Sequence, residues 1–379
     1  MTPRTVGVEE ELLLVDPQTR AASPRAHQVL KRFREHGKGQ PTDLPGPRAS
    51  TDELDQELFR HQLETRTDPA TDLTDTLAQL RLARRTAGQA AADLGLALVA
   101  TGVSPLPLDD PQVTRNDRYQ DMVQTYGEIA RTAGTCGMHV HVAISSDEEG
   151  VAVIDRITPW LPLVLALTAN SPIAQGRDTG YASWRSRTWS SWPSAGTTEA
   201  FGDLATYRAV SQALIDSGAA RDPGMLYFDA RLATDHPTVE VRVADVCTDP
   251  ADGVLVAAIV RALVERSARS WSEGQPLVPW RSELLRAAHW RAARYGLSGT
   301  LMHPVEHGLM KAEDVLRGTV EDLADVLAEH GDLALVRDGV DRVLQGTGAS
   351  RQRTAFEREG HVEGVVDDLV VRTERTWAP

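Results

Sequence analysis

Four short apolar stretches each carry two polar residues spaced i, i+2. They are Glu9 and Glu11 in VGVEEELLLV, Gln62 and Glu64 in FRHQLET, His139 and His141 in CGMHVHVAI, and Glu240 and Arg242 in TVEVRVAD. In a strand, successive side chains alternate between faces, so the two members of each pair point the same way, roughly 6–7 Å apart. Apolar residues fill the other face: Met138, Val140 and Val142 in one stretch, Val239, Val241 and Val243 in another. The spacing predicts a sheet with one greasy face and one face of carboxylates, imidazoles and a guanidinium. Such a face is repulsive when empty. Divalent metal ions and a phosphate chain would relieve it.

The rest of the chain fits an α+β protein. Strands are expected over 6–15, around 62–64, and over 96–101, 136–144, 226–232 and 238–246. Helices are expected over 24–36, 71–94, 118–131, 147–169 with breaks at Pro159 and Pro162, and 201–217. From residue 250 onward the pattern is nearly all helical, over 251–273, 281–294, 311–329, 332–345 and 350–375. Loops are expected at 40–50 and 104–117, where Pro and Gly or Pro and Asp concentrate. The stretch 171–196 reads as a long irregular segment, but Trp184, Trp189 and Trp192 argue against disorder. The expected architecture is one domain over 1–379, sheet-rich through 249 and mostly helical beyond. Its mostly antiparallel sheet forms an active-site funnel, with helices packed on the outer face.

Composition narrows the function classes. With 379 residues, 41% hydrophobic, the chain can bury a large core. A formal charge of −14 makes nucleic acid and anionic membrane poor partners. The two cysteines, Cys136 and Cys247, suggest no disulfide framework, which fits a reduced, cytoplasmic protein. Three glutamates at 9–11 exclude a signal-peptide core near the start, and the apolar run 160–169 is too short to span a bilayer.

Each motif has a bland alternative. Glu9–Glu11 also fits a solvated acidic turn. His139 and His141 also fit a satisfied polar face or a zinc half-site, although no matching third and fourth zinc ligands are evident. Glu240 and Arg242 also fit a cross-strand ion pair, and Arg185 and Arg187 also fit ordinary surface residues. His303-Pro-Val-Glu306-His307 matches the HxxEH metalloprotease string, but Pro304 opposes the helix that motif requires. There is no phosphate-loop string and no GxSxG elbow, and Gly346-Thr-Gly348 does not follow a strand. The conjunction of four matched pairs with an Arg/Trp-rich segment is what resists coincidence.

That conjunction resembles the type-2 glutamate–cysteine ligase family, also called the carboxylate–amine ligases. The matching stretches are GVEEELLLVDP (7–17), ELFRHQLET (57–65), CGMHVHVAI (136–144), TANSPIAQGRDTGYASWRSRTWSSWPSAG (168–196), VEVRVADV (239–246), WRAARYGL (290–297) and GTGASRQR (346–353). A more distant resemblance is to glutamine synthetase, whose acidic first strand, QxE, GMHVH and ExR strands occur in the same order. The resemblance implies a glutamine synthetase-like catalytic fold that binds ATP with Mg²⁺, Mn²⁺ being an alternative ion. It implies transfer of the γ-phosphoryl group to a carboxylate, that of L-glutamate by default, and displacement of phosphate by an amine, L-cysteine by default. By position, Glu9, Glu11, Glu57, Glu64, His139 and Glu240 would be metal ligands. His141 would face nucleotide or substrate, and Arg242 would stabilise the transferring phosphoryl group. Arg185 and Arg187 would grip a carboxylate or phosphate through bidentate contacts. The family also suggests a homodimer or higher homo-oligomer. Three readings stay open: a ligase with cysteine or another amine, a kinase or transferase on the same Mg-ATP sheet, and a nucleotide- or amino-acid-binding protein without catalysis. ADP release that needs both glutamate and an amine separates them.

Overall fold

A computed structural model describes residues 2–37, 54–108, 112–278 and 280–377. The expected loop at 40–50 lies outside the described residues, as do 109–111 of the loop at 104–117. Eleven strands are described: β1 (Val6–Val15), β2 (Leu54–Gln56), β3 (Gln62–Arg66), β4 (Ala97–Val99), β5 (Gly137–Ala143), β6 (Ile173–Ala174), β7 (Arg177–Asp178), β8 (Ala230–Leu232), β9 (Thr238–Asp245), β10 (Thr300–Met302) and β11 (Leu309–Lys311). The main sheet runs β2-β3-β1-β5-β9-β8, with β4 joined to the second half of β1, and every pairing is antiparallel.

In chain order the helices are α1 (Ala26–Gly37), α2 (Leu73–Ala92), α3 (Asp117–Tyr126), α4 (Glu128–Thr132), α5 (Asp147–Ile157), α6 (Leu161–Thr168), α7 (Trp184–Trp189), α8 (Leu204–Asp216), α9 (Pro250–Ser272), α10 (Ser282–Tyr295), α11 (Ala312–Asp322), α12 (Ala324–His330), α13 (Leu333–Gln345), α14 (Gly348–Glu359) and α15 (Val362–Arg375). Most of the helices cover one face, while α3 and α7 reach the other. The strand residues on the covered face, Val6, Val8, Met138, Val140, Val142, Val239 and Val241, share one buried cluster with Val254, Leu255, Val260 and Val264 of α9. That cluster reaches Val343, so the C-terminal helices pack on the same core as the first strand. A second cluster joins Leu12–Val15 to α1, β4 and α15.

Glu10 belongs to the helix side. It is fully buried, and Arg84 of α2 grips its carboxylate at 2.6 and 2.7 Å while also donating to the carbonyls of Cys247 and Thr248 at 2.7 Å each. Breaking a buried pair of this kind by removing one partner costs about 3–5 kcal/mol. The middle glutamate of the triplet is therefore structural, and its neighbours face the other way.

Several boundaries differ from expectation for local reasons. The expected helix over 118–131 divides at Gly127, and that over 350–375 divides at Gly360, both glycines having positive φ. The expected strand over 226–232 shrinks to Ala230–Leu232, because the carbonyls of Pro223, Gly224 and Leu226 turn inward to the Arg231 guanidinium. The HxxEH string sits in the turn of the β10–β11 hairpin, with His307 at φ 61°, so its histidines cannot share a helix face. Asp147–Thr168 is helical, long and apolar enough to cross a membrane, but 89% of its most apolar 18 residues are buried inside the fold, as a core helix is.

Candidate active site

Register brings the four polar pairs together. Glu11 lies opposite Glu64, Glu9 opposite both Arg66 and His139, and His141 opposite Glu240. Their side chains line one cavity of about 360 Å³ on the sheet face away from α2 and α9. All six expected metal ligands, Glu9, Glu11, Glu57, Glu64, His139 and Glu240, line it together with His141 and Arg242.

The ligand atoms fall into two groups, each with every atom within 4.8 Å of the others: Glu9, His141 and Glu240, and Glu11, Glu57 and Glu64. His139 stands between them. Its Nδ1 is 3.0 Å from Glu9 and 3.8 Å from Glu240, and its Nε2 is 3.9 Å from Glu11. His141, expected to face nucleotide or substrate, stands within the first group, with Nε2 3.6 Å from Glu9.

The donor set fits divalent cations. The Nε2 atoms of His139 and His141 are buried without a hydrogen-bond partner. Carboxylate oxygens and an occasional imidazole are what Mg²⁺ and Mn²⁺ accept. Electrostatics agrees. Burial, then the charges of Glu64 and Glu11, raise the Glu57 carboxyl well above the ordinary carboxylate range. Burial also raises Glu9, but hydrogen bonds from His139 and His141 outweigh it and leave Glu9 lowered. Glu240 is lowered too, because Arg242 and Arg231 outweigh its burial.

A folded-state pKa raised in this way makes the metal-free protein lose stability as pH rises from the unfolded carboxylate value through the folded one. Added Mg²⁺ should therefore raise the urea midpoint more at about pH 8 than at about pH 5. Glu57→Gln should stabilise the metal-free protein at the higher pH and remove most of the Mg²⁺ increment. An increment that is equal at both pH values would contradict the assignment.

Arg242 is held tightly. It pairs with Glu240, lies 5.9 Å over the Tyr227 ring, and has its guanidinium pKa raised because Glu240 outweighs burial. Burial pushes the Tyr227 hydroxyl up to about 12, against the nearby Arg242 and Arg118 charges. Arg231, across the β8–β9 ladder, bonds the same Glu240 carboxylate at 2.7 and 3.4 Å. Arg231 and Arg66 were missing from the sequence reading. Arg66 continues the alternation Gln62, Glu64, Arg66 and was findable. Arg231 faces Glu240 only through a strand register that spacing does not reveal.

Arg185 and Arg187 do not line the cavity. Arg185 is 2% exposed and sits at one end of the polar face, its guanidinium donating to the carbonyls of Arg242 at 3.3 Å and Val243 at 3.4 Å. A Cβ on Gly137 would fall 2.3 Å from its Nη2, so a larger residue there would displace the guanidinium. Arg187 is half-buried on the same short helix. That helix is pinned by Asp245, which accepts hydrogen bonds from Asn170 N–H at 2.9 Å, Ser171 Oγ at 2.6 Å and Ser183 Oγ at 2.7 Å. Trp189 and Trp192 reach the cavity wall and pack on Tyr227, with ring centroids 4.6 and 5.4 Å away. A neighbouring chamber of about 420 Å³, walled partly by Val8, Pro69, Ala143 and Pro237, shares Glu9, Arg66, His141 and His236 with the first.

The model of Glutamate-cysteine ligase family 2 matches residues 5–372. A Nocardioides protein named "Putative glutamate--cysteine ligase 2-1" is 60% identical over 374 residues, covering 99% of this chain and 97% of its own. A Streptomyces coelicolor protein named "Putative glutamate--cysteine ligase 2" is 44% identical over 372 residues, covering 98% and 99%. Among solved structures, glutamate–cysteine ligase from Francisella tularensis in complex with AMP shares the fold at a TM-score of 0.68 and 12% identity, covering 100% of this chain and 90% of that one. A bifunctional glutathione synthetase from Pasteurella multocida does so at 0.71 and 14%, with 99% of this chain matching 52% of the larger protein. A match across nearly the whole length, joined to full-length relatives, means that the chain belongs to glutamate–cysteine ligase family 2, a family of C–N-bond-forming ligases.

Proposed function

We propose that this protein is an ATP- and Mg²⁺-dependent carboxylate–amine ligase. It phosphorylates the γ-carboxylate of L-glutamate and condenses it with an amine, by default L-cysteine, releasing ADP and phosphate. The observation that carries this reading is the pair of ligand groups around His139, with Arg242 beside them in the same cavity. A carboxylate is a poor electrophile, and an amine does not displace its oxygen at neutral pH. Phosphorylation supplies a leaving group, and the chemistry then becomes positioning plus charge neutralisation.

Glu9, His141 and Glu240 would hold one cation, and Glu11, Glu57 and Glu64 a second, with His139 able to serve either. Bound Mg²⁺ would supply charge neutralisation for the phosphate chain. The chain's own residues do the rest. Arg242 places a fixed guanidinium where negative charge spreads during transfer, and Glu240 with Arg231 holds it there. Arg185 braces the main chain at Arg242, and Trp189 and Trp192 help to exclude water. The less polar neighbouring chamber suits the nucleoside, leaving the carboxylate-lined chamber for the reacting groups.

The same chemistry with another amine fits this site equally, so the amine is best identified directly. A screen of amines should show ADP release that requires both glutamate and one amine, with the amide identified by mass. ADP release without any amine would favour the kinase reading, and none under any condition would favour a binding protein.

A further inference from the structure

We propose that a second, basic concavity on the helix-covered side of the sheet is a binding site for a small polyphosphate anion. It has a volume of about 590 Å³ and shares no lining residue with the carboxylate cavity. Its walls carry Arg81 and Arg85 of α2, Arg351 of α14, and Arg372 and Arg375 of α15, with Trp377 beyond.

Five guanidiniums around one hollow are unexpected in a chain of net charge −14. Arginines in the last turn of a helix favour the negative end of its dipole, which accounts for Arg372 and Arg375. It does not account for Arg81 and Arg85, which come from a different helix at i, i+4, a like-charge spacing that weakens a helix. Three of the five have modest partners. Arg372 pairs with Asp368 at 2.5 Å, Arg351 with Asp252 at 3.3 Å, and Arg85 donates to the Trp377 carbonyl at 3.1 Å. Among the described residues, Arg81 and Arg375 have no side-chain partner, and both are exposed. The acid lining the hollow, Asp249, is committed to capping α9 through the Ala251 N–H at 2.9 Å.

The walls are also held in place. Trp377 packs so closely on α2 that a Cβ at Gly88 would fall 2.6 Å from its ring, so α15 and α2 keep a fixed spacing. Guanidiniums gathered on walls held in this way suit adjacent phosphate groups, each able to accept a two-pronged hydrogen bond. One phosphate would engage Arg81 and Arg85 and the next Arg375, with Arg351 and Arg372 adding charge at the sides.

Titration calorimetry of the full chain with inorganic tripolyphosphate, in EDTA to keep metal out of the carboxylate cavity, tests this. The expected result is one-site binding that weakens with salt. Affinity should fall roughly tenfold or more in Arg81→Ala/Arg375→Ala, which alters only exposed side chains, and further in Arg81→Glu/Arg375→Glu. Arg286→Glu, on the exposed face of α10, should leave it unchanged. Absence of binding, binding that survives both double variants, or an equal loss in Arg286→Glu would overturn the proposal.

Discussion

Ligase turnover is expected to fall by roughly 10²–10³ or more when Glu11 or Glu64 is replaced by Gln, with the fold intact. The two carboxylates face each other across the β1–β3 ladder and share a ligand group with Glu57. Gln keeps the shape and removes a charge from a group that has too much of it. The metal-free variants should therefore be at least as stable as the parent while binding Mg²⁺ poorly. Circular dichroism and urea unfolding check the first statement, and turnover across a Mg²⁺ series checks the second. Parental turnover at low Mg²⁺ in either variant would remove that residue from the metal site.

Arg242→Ala should be as damaging, for a different reason. In the proposed mechanism the guanidinium meets the charge that accumulates during phosphoryl transfer, so its loss should slow the chemical step by roughly 10³ or more and weaken ATP binding far less. Arg242→Lys should recover little, because an ammonium cannot reproduce the planar contact with Glu240. Single-turnover kinetics beside equilibrium ATP binding separates the two effects. Equal losses in both would make Arg242 a general binding charge.

The polar face was legible because strand alternation is strict. The eight members of the four polar pairs could be placed on one face before any register was known, and all eight line one cavity. What could not be read was what depends on distant partners. Glu10 looks like its neighbours in sequence but faces Arg84, 74 positions away, and only the pleat separates it from the site. Arg185 was expected at the substrate because the family resemblance of its Arg/Trp-rich segment implied that role. Its position beside Gly137 follows from Asp245 anchoring that segment, a tertiary contact without a local signal. The breaks at Gly127 and Gly360 were within reach of local reasoning, since glycines at positive φ commonly end helices.

The central claim is that amide formation passes through an acyl phosphate made on this sheet. With ¹⁸O in the γ-carboxylate of glutamate and the amine found by screening, one labelled oxygen should appear in inorganic phosphate for each amide formed, with ADP as the nucleotide product. That oxygen leaves with the phosphoryl group when the amine attacks. Label in AMP with release of pyrophosphate, or amide formation without label transfer, would contradict the mechanism.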